Sequence, residues 1–339
     1  MTKRTRLFLF VATGILVAGL GTGLLASYMD FQNLVLIGGD GPAELAYVPS
    51  DTRVLAYADV RQVMDSELRQ KLMQFDPNSA QGADKFQEET GIDLRTDVDK
   101  VVASLSNDGD NGRPLLLVTG RFDMARIESL IRTKGGQVAD YQGKRLLTHP
   151  DGEVGVAFVE PGLVAVGTAA AVRRAIDTKA SSNDVTDNAE VMRLVRDIDD
   201  GNAWAVARFD ALTNAGRLPE ELAKQLPAIS WFAASGTING GIQGVLHAEA
   251  RDEVAANDLR EVIRGFVALA RMQTGQRPEF ANLMNSFELG GQGKTVSLGF
   301  AVPSELIDMI GTLHGRRPRP EALPEVGPSL QQPQADPSI

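Results

Sequence analysis

Residues 229–248, ISWFAASGTINGGIQGVLHA, set two apolar runs, Ile229 to Ile238 and Ile242 to Ala248, on either side of Asn239-Gly240-Gly241. Asn-Gly between apolar runs favours a tight turn with positive φ, so the stretch reads as a β-hairpin. It leads into Glu253 to Gln273, where Leu259, Val262, Ile263, Phe266, Leu269 and Ala270 recur at helical spacing and predict one core-facing stripe. A hairpin feeding an amphipathic helix points to antiparallel strands covered by helices.

The same order occurs twice along the chain. The first half opens with a strand at Val54 to Asp59 and a helix carrying Met64, Leu68, Leu72 and Phe75 on one face. The second opens with Trp204 to Asp210 and a helix-like stretch through Leu222. In the first half, Val101 to Leu105 and Leu115 to Val118 flank Asn107 to Gly112, and a helix follows at Met124 to Lys134. Second hairpins turn at Pro150-Asp151-Gly152 and at Gly290 to Gly293, with a further strand at Leu163 to Val166. Short helices close the halves, at Ala169 to Asp177 and Ser304 to Leu313. The expected fold is therefore α+β, with antiparallel sheets, helices packed on one face and two similar halves.

Leu7 to Met29 contains no charged residue, and at ~1.5 Å per residue such a run crosses a bilayer core of ~30 Å. A cleaved signal peptide is the rival reading, but its apolar region is usually shorter and Leu24-Leu25-Ala26 is a poor cleavage site. Lys3, Arg4 and Arg6 precede the run, and the next basic residue is Arg53, which orients the N-terminus to the cytoplasm and the rest outside. The layout expected is residues 1–29 as basic end and single-pass transmembrane anchor, 30–45 as linker, 46–190 and 191–314 as the two halves. Residues 315–339 form a Pro-rich tail expected to be disordered. Gly19 and Gly23 have the spacing that lets two membrane helices approach, giving a homodimer as one reading and ordinary membrane-helix composition as the other.

The net charge of −10 disfavours nucleic acid as a partner, the more so because the N-terminal basic residues leave the middle of the chain more acidic than the whole. The absence of cysteine removes disulfides, thiolate metal sites, thiol nucleophiles and a lipidated cysteine anchor.

Tyr47-Val48-Pro49-Ser50-Asp51-Thr52 ahead of a strand, with Gly120-Arg121-Phe122-Asp123 and Arg208-Phe209-Asp210 at strand ends, resembles a family of uncharacterised bacterial membrane-anchored extracytoplasmic proteins. The resemblance runs over about residues 45 to 313. It implies the extracytoplasmic address and the two-half layout, and it brings no activity or catalytic residue.

Asp59, Asp123, Asp210 and Asp252 suggest proton transfer at first sight, but each stands where a strand gives way to a helix, a position at which Asp caps the first free amides. Gly293-Lys294-Thr295 matches the end of a phosphate-binding loop, yet Glu288 stands where that loop needs glycine and a strand follows instead of a helix. Asn107 to Gly112 is rich in calcium-type ligands but lies between strands, without the flanking helices of an EF-hand. His149, His247 and His314 have no metal-ligand spacing, and Trp231-Phe232 reads as core packing ahead of a sugar platform.

No catalytic, cofactor-binding or metal residue is expected. The expected function is a non-enzymatic binding or assembly module of the cell envelope, with the membrane and an envelope protein as partners. A carrier of a lipid or other apolar ligand is the alternative, and an unrecognised hydrolase a further one. A wide groove lined by Val, Leu and Phe would favour the carrier, and a concave pocket with a buried acid or His beside Ser or Thr the enzyme.

Overall fold

The computed structural model describes residues 42–67, 84, 86–106, 113–198, 201–214, 229–274, 283–302 and 304. The expected anchor with Gly19 and Gly23, Leu68, Leu72, Phe75, Asn107 to Gly112, the stretch to Leu222, residues 305–313, His314 and the tail lie outside them. No helix among the described residues is long and apolar enough to cross a membrane.

From β1 (Thr52–Asp59) the chain enters α1 (Val60–Asp65), β2 (Val98–Ser106), β3 (Arg113–Gly120) and α2 (Met124–Thr133). Four strands follow, β4 (Gln137–Tyr141), β5 (Lys144–Thr148), β6 (Gly155–Glu160) and β7 (Leu163–Gly167), then α3 (Ala169–Ser181) and α4 (Ala189–Ile198). The chain continues through β8 (Ala203–Arg208), α5 (Phe209–Asn214), β9 (Ile229–Ile238), β10 (Ile242–Ala250), α6 (Glu253–Thr274), β11 (Glu288–Gly290) and β12 (Thr295–Val302). The strands form one sheet in the order β11-β12-β10-β9-β8-β1-β2-β3-β7-β6-β5-β4. The hairpin read from Asn239-Gly240-Gly241 closes with Ile242 opposite Ile238.

The α+β class and the antiparallel pairing are as expected, but the expected sheets are one, joined where β1 pairs β8 through Leu55 opposite Val206 and Tyr57 opposite Trp204. One row of side chains, Trp204, Tyr57, Val102, Leu117, Ala165 and Ala157, runs across six strands. That row faces α3 and α4, and together they make the largest core cluster. The neighbouring row, Ala205, Ala56, Ala103, Leu116 and Val166, points the other way and packs with Val60 and Met64 of α1. On that second face α6 covers Ala248, Ala250 and Val296.

Helices thus lie on both faces, where cover on one was expected. Consecutive apolar residues such as Val101-Val102-Ala103 and Leu115-Leu116-Leu117 present an apolar side chain to each face, and each must be buried.

Two elements were not foreseen. Helix α4 buries Val191, Met192, Leu194, Val195 and Ile198 against the largest cluster, and the boundary expected between residues 190 and 191 falls inside it. The Ser181-Asp184 segment before it is docked, with Pro49 bridged to Asp184 and the amide of Val185 donating to the carbonyl of Val48 at 2.8 Å. Strand β4 reaches β5 through Gln142 and Gly143, both at positive φ (51° and 74°). Gln is a weak signal for that conformation.

Candidate functional site

The aspartates read as caps act as caps in three of four cases. Asp59 accepts from the Gln62 amide at 2.9 Å, Asp123 from Arg126 at 3.0 Å and Asp252 from Ala255 at 2.8 Å. Asp210 corrects the expectation: β8 ends at Arg208, α5 begins at Phe209, and the Asp210 carboxylate lies inside the first turn, accepting from Arg208 Nε at 3.2 Å and Nη2 at 3.1 Å. Lys294-Thr295 forms a tight turn into β12, with no helix after it.

His149 Nδ1 lies 2.8 Å from Asp151 in an exposed turn, and His247 sits in β10, opposite Ser297 of β12. Trp231 is buried, its Nε1 donating to Glu190 at 2.8 Å, while Phe232 packs on Phe209 with centroids 5.7 Å apart. Neither ring offers a free platform. No group of three or more His, Asp or Glu side chains among the described residues could hold a metal.

Two buried polar side chains away from the concavities, Tyr47 and Glu44, have structural partners, whereas the buried Trp204 Nε1 has none among the described residues. Tyr47 donates its hydroxyl proton to Glu160 at 2.8 Å, and burial together with that carboxylate pushes the phenol well above its usual range. Glu44 accepts from the Thr119 hydroxyl.

Two concavities stand out. One, of about 540 Å³, runs along α2, and its single carboxylate, Glu128, accepts from Arg132 and Arg145, each at 2.8 Å. A site whose only anion is already held by two guanidiniums has little left to offer a ligand. The other, of about 470 Å³, lies between α6 and the β11–β12 edge of the sheet, lined by Ile263, Val267, Ala268, Phe287, Leu289 and Leu298. Its two polar side chains are Arg264 and Arg271, and no carboxylate lines it. It is the smaller of the two, but an apolar wall with few polar groups is the ordinary make-up of a ligand site.

The groove is a consequence of how α6 is fastened. Near its start Ala255, Ala256 and Leu259 are buried on the sheet, and Arg260 Nη2 donates to the carbonyls of Gly293 (3.1 Å) and Thr295 (2.8 Å), pinning the helix to the β11–β12 turn. Near its end Arg271 Nη2 donates to the carbonyl of Met284 at 3.2 Å. Ser286 ties that segment to β12, its hydroxyl donating to Ala301 O at 2.8 Å and accepting from Ala301 N at 2.9 Å. Between these fastenings the underlying row is Leu246, Leu298 and Leu289, in register across β10, β12 and β11. Strand β11 has only three residues, and Leu246 remains 44% exposed. The stripe expected to be wholly core is therefore divided. Leu259 is buried and Ile263 partly so, whereas Phe266 and Leu269 stand 53% and 55% exposed, and Met272 beyond the stripe is 78% exposed.

No protein-family model and no curated protein matches this chain. Among solved structures it is similar to TP0453 in crystal form III, at 10% identity and a TM-score of 0.47, over 81% of this chain and 100% of that one. Form IV gives 11% and 0.46 over 78% and 95%, and form I gives 9% and 0.46 over 80% and 98%. With TM-scores under 0.5 and identities this low, the likeness assigns this chain neither a fold family nor a role.

Proposed function

We propose that this chain is a membrane-tethered, extracytoplasmic, non-enzymatic binding module of the cell envelope, and that its binding site is the groove between α6 and β11–β12. The groove carries the reading: about 470 Å³ of space lined by six apolar residues on one helix and one sheet edge, with no acid, histidine or serine in the lining. The address rests on the apolar run from Leu7 to Met29 behind Lys3, Arg4 and Arg6. A carrier that hands an apolar ligand onward is the second reading, favoured by Val267, Leu289, Leu298 and Phe287 in the groove's lining and by the exposed Phe266, Leu269 and Met272 on the same stretch of helix.

The test is photolabelling of the full-length chain in lipid nanodiscs with an uncharged, diazirine-bearing long-chain alcohol. Adducts should map by mass spectrometry to residues 263–271, 287–289 and 298, and Ala268→Trp, which fills the rim, should remove them. Labelling that is spread over the exposed ridge and indifferent to Ala268→Trp would reject the groove as the binding site.

A further inference from the structure

Two positive charges, Arg264 and Arg271, line an otherwise apolar groove, and no carboxylate lines it with them. Arg264 and Arg271 are seven residues apart on α6, two turns of helix, so both project along one edge with Ala268 between them. Ile263 and Val267 form the adjacent row, turned toward Phe287, Leu289 and Leu298. The groove therefore has an apolar floor and a cationic lip.

Neither guanidinium is used up. Arg264 holds Glu261 at 2.5 Å, a pair in which both side chains are well exposed (60% and 71%). Exposed pairs of this kind are weak and readily exchanged. Arg271 spends a donor on the Met284 carbonyl, and a guanidinium has five. The nearest strand carboxylate, Glu288, is next to Leu289 in β11 and so points to the other face of the sheet. Nothing in the lining competes for an incoming anion.

Resting on the binding-module reading, we infer that the groove takes a single-chain anionic amphiphile, with its hydrocarbon chain along Ile263, Val267, Leu289 and Leu298 and its acidic head at Arg264 and Arg271. The volume lies toward the low end of the ~300–1,000 Å³ usual for ligand sites, in keeping with a single chain. A planar, permanently charged guanidinium binds carboxylate or phosphate through paired N–H donors, so these heads are recognised and a hydroxyl is not.

The experiment labels the full-length chain in nanodiscs with diazirine-bearing hexadecanoate and competes with unlabelled hexadecanoate, hexadecyl phosphate and hexadecanol. Labelling at residues 263–271 and 287–298 should be displaced by at least one of the two anions at a concentration about tenfold below that of the alcohol, a difference equal to one charge-assisted contact. Which anion displaces better identifies the head as carboxylate or phosphate. Arg264→Gln, which leaves the Met284 fastening in place, should weaken displacement by the anion about tenfold and leave displacement by hexadecanol unchanged. Equal displacement by alcohol and acid, with Arg264→Gln silent, would overturn the anionic head while leaving the apolar site standing. Labelling outside the groove by both probes would overturn the binding reading itself.

Discussion

Tyr47 is almost wholly buried, and its hydroxyl proton is held by burial and by the Glu160 carboxylate 2.8 Å away, both of which raise its pKa. In the unfolded chain a tyrosine ionises near pH ~10, whereas here the folded state retains the proton to higher pH. The linkage sign follows: the contribution to stability is complete below pH ~10 and is lost as pH rises from there through the folded-state pKa. Tyr47→Phe should therefore lower stability at neutral pH by about 1 kcal/mol and flatten the alkaline limb of a denaturation-midpoint profile. An unchanged alkaline slope would show that another group sets it. The caps behave more simply. Asp252→Ala, which removes the acceptor for the Ala255 amide, should cost about 1 kcal/mol by urea denaturation, while Asp210→Ala, which breaks an exposed pair with Arg208, should cost less.

Helices α4 and α6 both carry apolar residues at helical spacing, and the packing treats them differently. In α4, an element not foreseen, Val191, Leu194, Val195 and Ile198 stand at helical spacing and all four are buried, so Leu194→Ala should cost about 2–5 kcal/mol. In α6 the same kind of spacing continues past the point where the sheet supports it. Phe266→Ser, at a side chain 53% exposed, should leave the melting temperature within about 2 °C of the parent. A large drop would mean that the Phe266 side chain is covered in the folded protein. Gly265 lies in the exposed part of this helix, and a Cβ built there meets nothing within 4 Å. Gly265→Ala should therefore stabilise by about 0.5–1 kcal/mol, because it removes backbone freedom from the unfolded chain at no steric cost.

At the scale of the whole molecule, β1 and β8 pair at the middle of one sheet, and the largest cluster joins Leu55, Val102 and Leu117 to Trp204, Val206 and Trp231. We propose that residues 46–314 unfold as one unit for that reason. Both tryptophans of the chain lie in its second part and are buried, so their fluorescence reports that part, whereas far-ultraviolet circular dichroism reports the whole. The two signals should move together in one transition. Loss of dichroism before the tryptophan signal changes would mean that the first half is an independent domain.

Local chemistry was enough for much of this. Apolar runs bounded by Asn-Gly or Pro-Asp-Gly marked the strands and hairpins, and aspartate at strand ends marked three helix starts, because turn geometry and capping involve residues only a few positions apart. The Gln142-Gly143 turn was missed because glutamine rarely takes positive φ, so nothing local announced it. The joining of the strands into one sheet, the covering of both its faces and the groove itself were decided only in three dimensions. Ile263 and Val267 meet Leu298 because α6 is fastened by Arg260 at one end and Arg271 at the other, over a sheet edge that narrows to the three residues of β11. A periodic stripe records which residues share a side of a helix. How far the surface beneath that side extends depends on strands elsewhere in the chain, and that distance made the end of α6 a groove instead of core.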